Sequence, residues 1–215
     1  MSLLDDFQII RSWSINAAAW IKAISNHEIE SRNLVTNQAI LKTIIGFPSN
    51  YILDVGCGEG WLAHELAAKG IRVFGVDAFH ALIEQAKKTC NGQFDVCSYE
   101  ELHKYGFKEK FDCIVCNFSL LGKESTVKVI SAAQDFLHGD GRLIIQTLHP
   151  VLACGDLQYV DGWRPGSWSG FSIEFTEPAP WYFRTIASWN ELLNNNQFEN
   201  IKIYEPNHPK TGKPV

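Results

Sequence analysis

The chain has 215 residues, 46% hydrophobic and 20% charged, enough to bury one sizeable α/β core without disulfide staples and cramped for two full domains. Its formal net charge of −5 gives no basic footprint, so a nucleic-acid partner is not expected. Met1-Ser-Leu-Leu-Asp-Asp-Phe7 lacks the basic and apolar regions of a signal peptide, and no stretch approaches the roughly 18 apolar residues of a membrane span, so a cytoplasmic location is expected.

Residues 1–46 read as a helical cap. Ser14 is expected to cap a segment carrying Ile15, Ala18, Ala19, Trp20 and Ile24, and Ser31 a second whose Leu34, Val35, Gln38, Leu41, Ile44 and Ile45 share a stripe. After a loop at 46–50, Ile52, Leu53 and Val55 suit a strand covered on both faces. Gly56, Gly58 and Gly60 follow, removing Cβ atoms where backbone presses against a ligand, and Trp61–Lys69 is a helix that stops at Gly70. Strands at 72–76, 93–96, 111–117 and 141–147 then alternate with helices at 80–89, 99–104 and about 123–138, the last ended by Gly139. This rhythm predicts an α/β fold: a Rossmann-like, doubly wound, mainly parallel sheet with helices on both faces, its core spanning 51–148.

Residues 149–184 break the rhythm with four prolines, four glycines and Trp163, Trp168, Trp181, Tyr182 and Phe183, a long aromatic insertion after strand five. The aromatics suit either a dry substrate pocket or a satellite core under the loop. Over 185–215, Ser188-Trp-Asn-Glu191 reads as a capping box opening the last helix, and Ile201-Lys-Ile-Tyr204 as a sixth strand. Cys113 and Cys116 form a C-x-x-C, but on a strand they project to opposite faces, and no metal site is expected.

Gly56-x-Gly58-x-Gly60, with Asp77 about 20 residues on, is half of a dinucleotide fingerprint. Trp61, however, stands where the third glycine belongs, and Asp54 would repel a pyrophosphate while suiting a ligand that bears an ammonium group. A nicotinamide dehydrogenase is therefore a distant alternative.

Leu53-Asp54-Val-Gly56-Cys-Gly58-Glu-Gly60 resembles the first motif of the class I S-adenosylmethionine-dependent methyltransferases, and Gly75-Val-Asp77 their second acidic motif. Phe111–Leu121 and Gly139–Ile145 are similar to the fourth and fifth strands of the small-molecule branch grouped with the ubiquinone and menaquinone methyltransferases (methyltransferase type 11/12). Gly58–Ala63, Gln146-Thr-Leu-His-Pro150, Trp181-Tyr-Phe-Arg-Thr185 and Glu205-Pro-Asn-His-Pro209 resemble a bacterial subgroup of it. The resemblance covers about residues 14 to 215 and implies a single domain. It implies methyl transfer from S-adenosyl-L-methionine to a small molecule, leaving S-adenosyl-L-homocysteine, with a non-catalytic cofactor-binding sensor as the alternative.

On this chain the resemblance implies that Gly56, Gly58 and Gly60 line the methionine and ribose, that Cys57 and Trp61 beside them also bind the cofactor, and that Asp54 lies near the amino group. Asp77 would hold the ribose hydroxyls, and Ala78 and Phe79 would flank the adenine. Ser98 stands where the family often has an acid for the adenine amino group, so Ser98, Asp95 or Glu100 would serve there, with the Tyr99 amide on a ring nitrogen. Asn117, Phe118 and Ser119 would border the reacting methyl. Arg32 resembles an arginine aimed at the cofactor carboxylate, or is a plain surface residue. His149, after the fifth strand, is placed to act as a general base or to anchor its turn. Trp181, Tyr182 and Arg184 would contact substrate, unless Arg184 is tied to local carbonyls or to Glu174 or Glu177. The family fold usually ends in an antiparallel seventh strand, for which this sequence has no residues left, so a truncated end is expected. Monomer and homodimer both stay open.

Overall fold

The computed structural model describes residues 4–214. Five strands form one sheet: β1 (Tyr51–Val55), β2 (Arg72–Asp77), β3 (Gln93–Val96), β4 (Phe111–Asn117) and β5 (Leu137–Gln146), in the order β3-β2-β1-β4-β5 with every pairing parallel. β1 lies at the centre and is buried along its whole length, which is why its apolar run shows no alternation. The register sets Val55 beside Val76 and Asp54 beside Val115, so β1, β2 and β4 end within a residue or so of one another.

The helices are α1 (Asp6–Ser25), α2 (Asn37–Ile45), α3 (Trp61–Ala67), α4 (His80–Thr89), α5 (Glu124–Phe136), α6 (Pro150–Cys154) and α7 (Ile186–Asn195). Ile40 and Ile44 of α2, Leu62, Ala63 and Leu66 of α3 and Ile83 and Ala86 of α4 pack with Ile52, Val73, Phe94, Cys113 and Val115 of the sheet in one apolar core. Cys113 and Cys116, the C-x-x-C of β4, are both buried with their thiols reduced.

The chain divides into two compact units, one made of Gln38–Leu120 and Ser131–Thr147, the other of the stretch up to Asn37, Leu121–Ile130 and the stretch from Leu148 onward. The first contains the sheet. In the second, Ala19, Ala23 and Phe175 are buried against Trp20, Trp168 and Phe171, and a small antiparallel pair joins β6 (Gly162–Arg164) to β7 (Trp181–Phe183). The 149–184 segment is thus not a plain loop: α6, β6 and β7 order it.

Several boundaries differ from expectation. Asp5, not Ser14, caps α1, because its carboxylate accepts the Gln8 N–H at 3.0 Å while Ser14 sits mid-helix. Ser31 is itself helical and makes no side-chain cap; a π-turn at Arg32–Thr36 precedes α2. Tyr99 to Glu101 is a turn, with helix only at Leu102–Lys104. α5 stops at Phe136, since Leu137 pairs with Phe111 before a register shift leads to Cys113 opposite Arg142. Thr185 caps α7 by accepting the Ser188 N–H at 3.1 Å, and the Ser188 hydroxyl goes to Asp161. Ile201–Tyr204 forms no strand: Ile203 and Tyr204 are 55% and 62% exposed, and alternation makes a strand only where a sheet edge supplies the ladder.

Gly60 shows how the turn after β1 is constrained. Its φ is +86°, and a Cβ there would lie 2.8 Å from Ala86 Cβ on α4. Gly60→Ala therefore combines a left-handed backbone penalty with a clash and should cost about 2–4 kcal/mol in urea unfolding, whereas Gly70→Ala, at φ +79° in open space, should cost only about 1–2.

Candidate functional site

The site is built at the carboxyl ends of β1, β2 and β4. The Gly56 and Cys57 N–H groups both donate to Val76 O, at 2.8 and 3.0 Å, so the turn leaving β1 docks on the last residues of β2. Asp77 completes that docking: Oδ2 accepts the Gly58 N–H at 2.9 Å and Oδ1 the Phe79 N–H at 3.0 Å. Two residues past β4, Ser119 Oγ donates to Val55 O at 2.7 Å, and the Tyr99 hydroxyl donates to Ser119 O at 3.1 Å. Gly56 sits under this stitch, where a Cβ would come within 2.4 Å of Ser119 Cβ and 2.6 Å of the Tyr99 hydroxyl. Gly56 and Gly60 are thus required by the protein's own packing, a stricter reason than ligand approach. Phe118 is held at φ +53°, a strained conformation for a bulky residue, with its N–H on Gln146 O at 2.8 Å.

The electrostatics are those of buried carboxyls that burial holds back from ionising. Asp54, Glu59 and Asp77 are 1%, 8% and 7% exposed. Burial first, then the fields of Asp77 and Glu59, pushes the Asp54 carboxyl up to about 8. Burial also raises Asp77, but the N–H donors of Phe79 and Gly58 hold it back to about 6. Burial pushes the Tyr99 phenol well up, so it stays protonated as a donor. Asp54 Oδ1 and Asn117 Oδ1 are buried with no hydrogen-bond partner among the described residues. Asp54 thus favours its protonated form in the unliganded fold, and a cation with N–H groups placed there would both draw that proton off and satisfy the two orphaned oxygens.

Of the expected cofactor residues, Asp54, Gly56, Cys57, Gly58, Gly60, Trp61, Asp77, Ala78, Phe79, Ser98, Tyr99, Asn117, Phe118 and Ser119 all belong to the sheet-containing unit. Ser98 spends its hydroxyl on Glu101 at 2.9 Å, and Asp95 accepts from Tyr105 at 2.6 Å and from its neighbour Val96. Arg32 belongs to the other unit, where it is buried, donates to Asn37 Oδ1 at 3.3 Å and lies 5.4 Å from the Trp20 ring, so it is not a plain surface arginine.

His149, Trp181, Tyr182 and Arg184 also belong to that second unit. Trp181 packs edge-on to Phe183, and Tyr182 edge-on to Trp163. Arg184 is buried, its guanidinium carbon 4.8 Å from the Tyr182 ring and 5.7 Å from the Trp189 ring, and it donates to Lys123 O at 2.8 Å. Glu174 and Glu177 pair instead with Lys22 and Arg11. Of the five aromatics read as pocket or satellite core, Trp168 and the fully buried Phe183 are core. Sequence reasoning passed over Glu59, whose burial has no local signature, and Glu205, which meets His149.

An all-parallel α/β sheet with ligand-seeking polar groups where the central strands end defines the nucleoside-binding class of Rossmann-like folds. The methyltransferase domain family matches residues 48–204, and the chain belongs to that family. It is 30% identical over 170 residues to the ubiquinone biosynthesis O-methyltransferase of Rickettsia felis, covering 72% of this chain and 64% of the relative. The chain spans between 54% and 64% of the length of the first curated relatives it matches. Among solved structures, an S-adenosylmethionine-dependent methyltransferase from Mesorhizobium loti superposes with a TM-score of 0.61 at 16% identity, over 82% of this chain and 93% of the other. Phosphoethanolamine N-methyltransferase 2 of Haemonchus contortus, in complex with S-adenosyl-L-methionine, gives 0.56 at 21% identity, over 79% and 38%. These likenesses establish the fold.

The raised carboxyls make a signed prediction. A folded-state value above the unfolded 3.8 means that the folded chain holds a proton the unfolded chain has lost, so stability is greatest below about pH 4 for this group and falls as pH rises to about 8. Unliganded protein should lose up to about 1.4 kcal/mol per pH unit from Asp54 across that window, and Asp54→Asn should remove this slope. Urea unfolding at pH 5, 6, 7 and 8 checks it; equal slopes in the two proteins would refute it.

Proposed function

We propose that the protein is a single methyltransferase domain that transfers a methyl group from S-adenosyl-L-methionine to a small-molecule acceptor, leaving S-adenosyl-L-homocysteine. The observation that carries this reading is the pair of orphaned oxygens, Asp54 Oδ1 and Asn117 Oδ1, in a cradle that also buries Glu59 and Asp77. Such a cradle repels a pyrophosphate and attracts a nucleoside that bears an ammonium and a sulfonium, which argues against the dehydrogenase. When bound, that donor supplies an electrophilic methyl on a cationic sulfur, open to in-line displacement.

The chain's part is to bind, orient and exclude water. Asp54 accepts from the ammonium, directly or through water. Gly56, Cys57, Gly58, Gly60 and Trp61 border the methionine and ribose. Asp77, held in place by the Gly58 and Phe79 N–H groups, accepts from the ribose hydroxyls. Ala78 and Phe79 flank the adenine, Ser98 and the Tyr99 amide serve its edge, and Asn117, Phe118 and Ser119 border the reacting end.

The second unit supplies acceptor-side candidates: Trp181, Tyr182, Arg184, and His149 as the base. Relatives named as ubiquinone O-methyltransferases support a small organic acceptor. The net charge of −5 supports a partner other than nucleic acid, and no helix among the described residues is long and apolar enough to cross a membrane. A cytoplasmic enzyme fits both.

Calorimetry with S-adenosyl-L-methionine and with NADH on the same sample tests the reading. We expect binding of the first and none of the second. Asp77→Ala should weaken cofactor binding at least tenfold, by loss of ribose contacts and of the Gly58 clamp together, and Asp54→Asn by about tenfold through the ammonium. Binding of NADH alone would sink the assignment.

A further inference from the structure

His149 and Glu205 come from two of the motifs quoted above, 56 residues apart, and the fold joins them. His149 Nε2 lies 2.6 Å from Glu205 Oε1. The imidazole is 11% exposed, while the glutamate is 52% exposed at the rim. On the other side of the ring, Nδ1 is buried with no partner among the described residues. The backbone of His149 is already occupied: its carbonyl accepts the N–H groups of Leu152 and Ala153 at the start of α6, so the turn is anchored without the ring.

A carboxylate only accepts hydrogen bonds, so Nε2 must carry the proton that Glu205 receives. In the neutral ring Nδ1 is then a bare lone pair, shielded from water. A histidine kept merely for packing would place its second nitrogen on a carbonyl, a hydroxyl or solvent, because an orphaned buried acceptor costs about 1–3 kcal/mol.

We propose that Glu205 is a positioning residue that fixes the His149 imidazole as the Nε2–H tautomer, reserving Nδ1 to take a proton from the acceptor. The acceptor is accordingly a protic nucleophile, a hydroxyl or an amine that still carries hydrogen, and not a thioether, tertiary amine or other atom with no proton to lose. The destination of the proton rests on the methyl-transfer reading above; the tautomer does not. In the step, the acceptor's O–H or N–H proton passes to Nδ1, and the bonding pair left on oxygen or nitrogen forms the bond to the methyl carbon. The pair of the broken carbon–sulfur bond stays on sulfur, and the imidazolium later returns its proton to water.

The test uses the full chain labelled with ¹⁵N-histidine, read by two-bond ¹H–¹⁵N correlation at neutral pH, with the His149 signals assigned by their loss in His149→Asn. We expect the Nε2–H pattern in the wild type. Glu205→Ala should collapse it to a tautomer mixture, and Glu205→Gln, whose amide oxygen still accepts, should restore it. Millimolar phenol and benzylamine, each beside its methylated counterpart (anisole and N,N-dimethylbenzylamine), probe the acceptor side. An upfield shift of Nδ1 with either protic compound and not with its counterpart is expected.

An Nδ1–H pattern in the wild type, or an unchanged pattern in Glu205→Ala, would overturn the positioning role. An Nδ1 that responds to none of the probes, or equally to both members of each pair, would overturn the acceptor assignment. Calorimetry on the same samples keeps the two readings apart: failure to bind S-adenosyl-L-methionine defeats the methyl-transfer reading and leaves the tautomer result to stand or fall by itself.

Discussion

The grip of Asp77 on the turn after β1 is the contact on which the rest of the site depends. Its two oxygens take the Gly58 and Phe79 N–H groups, tying the ends of the central strand and its neighbour into one rigid corner. Those bonds partly offset the cost of burying a carboxylate, as the contrast with Asp54 shows: both are buried in one field, yet Asp77 stands near 6 and Asp54 near 8. The difference is the backbone donors that Asp77 has and Asp54 lacks. Asp77 is settled by the protein, whereas Asp54 Oδ1 has no hydrogen-bond partner among the described residues.

The same corner explains why the glycines are not interchangeable. Gly56 lies beneath the bond from Ser119 to Val55 and the bond from Tyr99 to Ser119, and Gly60 beneath α4. A side chain at either position strikes protein before it reaches any ligand. Loss of cofactor binding in a glycine variant would therefore report a displaced turn, whereas Asp54 can be changed with little steric consequence. Phe118 belongs to the same account: its strained backbone continues β4 into Ser119, the residue that closes the stitch.

β1, β2 and β4 were legible because strands covered on both faces write themselves as short apolar runs, whereas β3, exposed at three of its four positions, was legible from the alternation of strand and helix. Caps were less legible. Ser14 and Ser188 have the right chemistry, but Asp5 and Thr185 have it too and lie where the chain turns. Ile201–Tyr204 alternates as a strand should, yet pairing is a property of the neighbouring edge, which a local pattern does not encode. The turn motif and Asp77 were readable from spacing because backbone geometry fixes them. Glu59 and Glu205 were not, since burial in one case and a partner 56 residues away in the other are products of the tertiary fold.

Charge also bears on turnover. On the methyl-transfer reading, donor and product share the ammonium, the ribose and the adenine, and differ at sulfur, which is cationic before transfer and neutral after it. A bound ammonium draws the proton off Asp54, and the cradle of Asp54, Glu59 and Asp77 then attracts the positive sulfur as well, so its field favours the donor over the product by the difference of one charge. Contacts to ribose and adenine bind both forms alike and do nothing for that discrimination. The carboxylates that cost the unliganded fold stability therefore have a use that neutral hydrogen-bond acceptors could not fill: they hold the charged donor and loosen when the charge is gone.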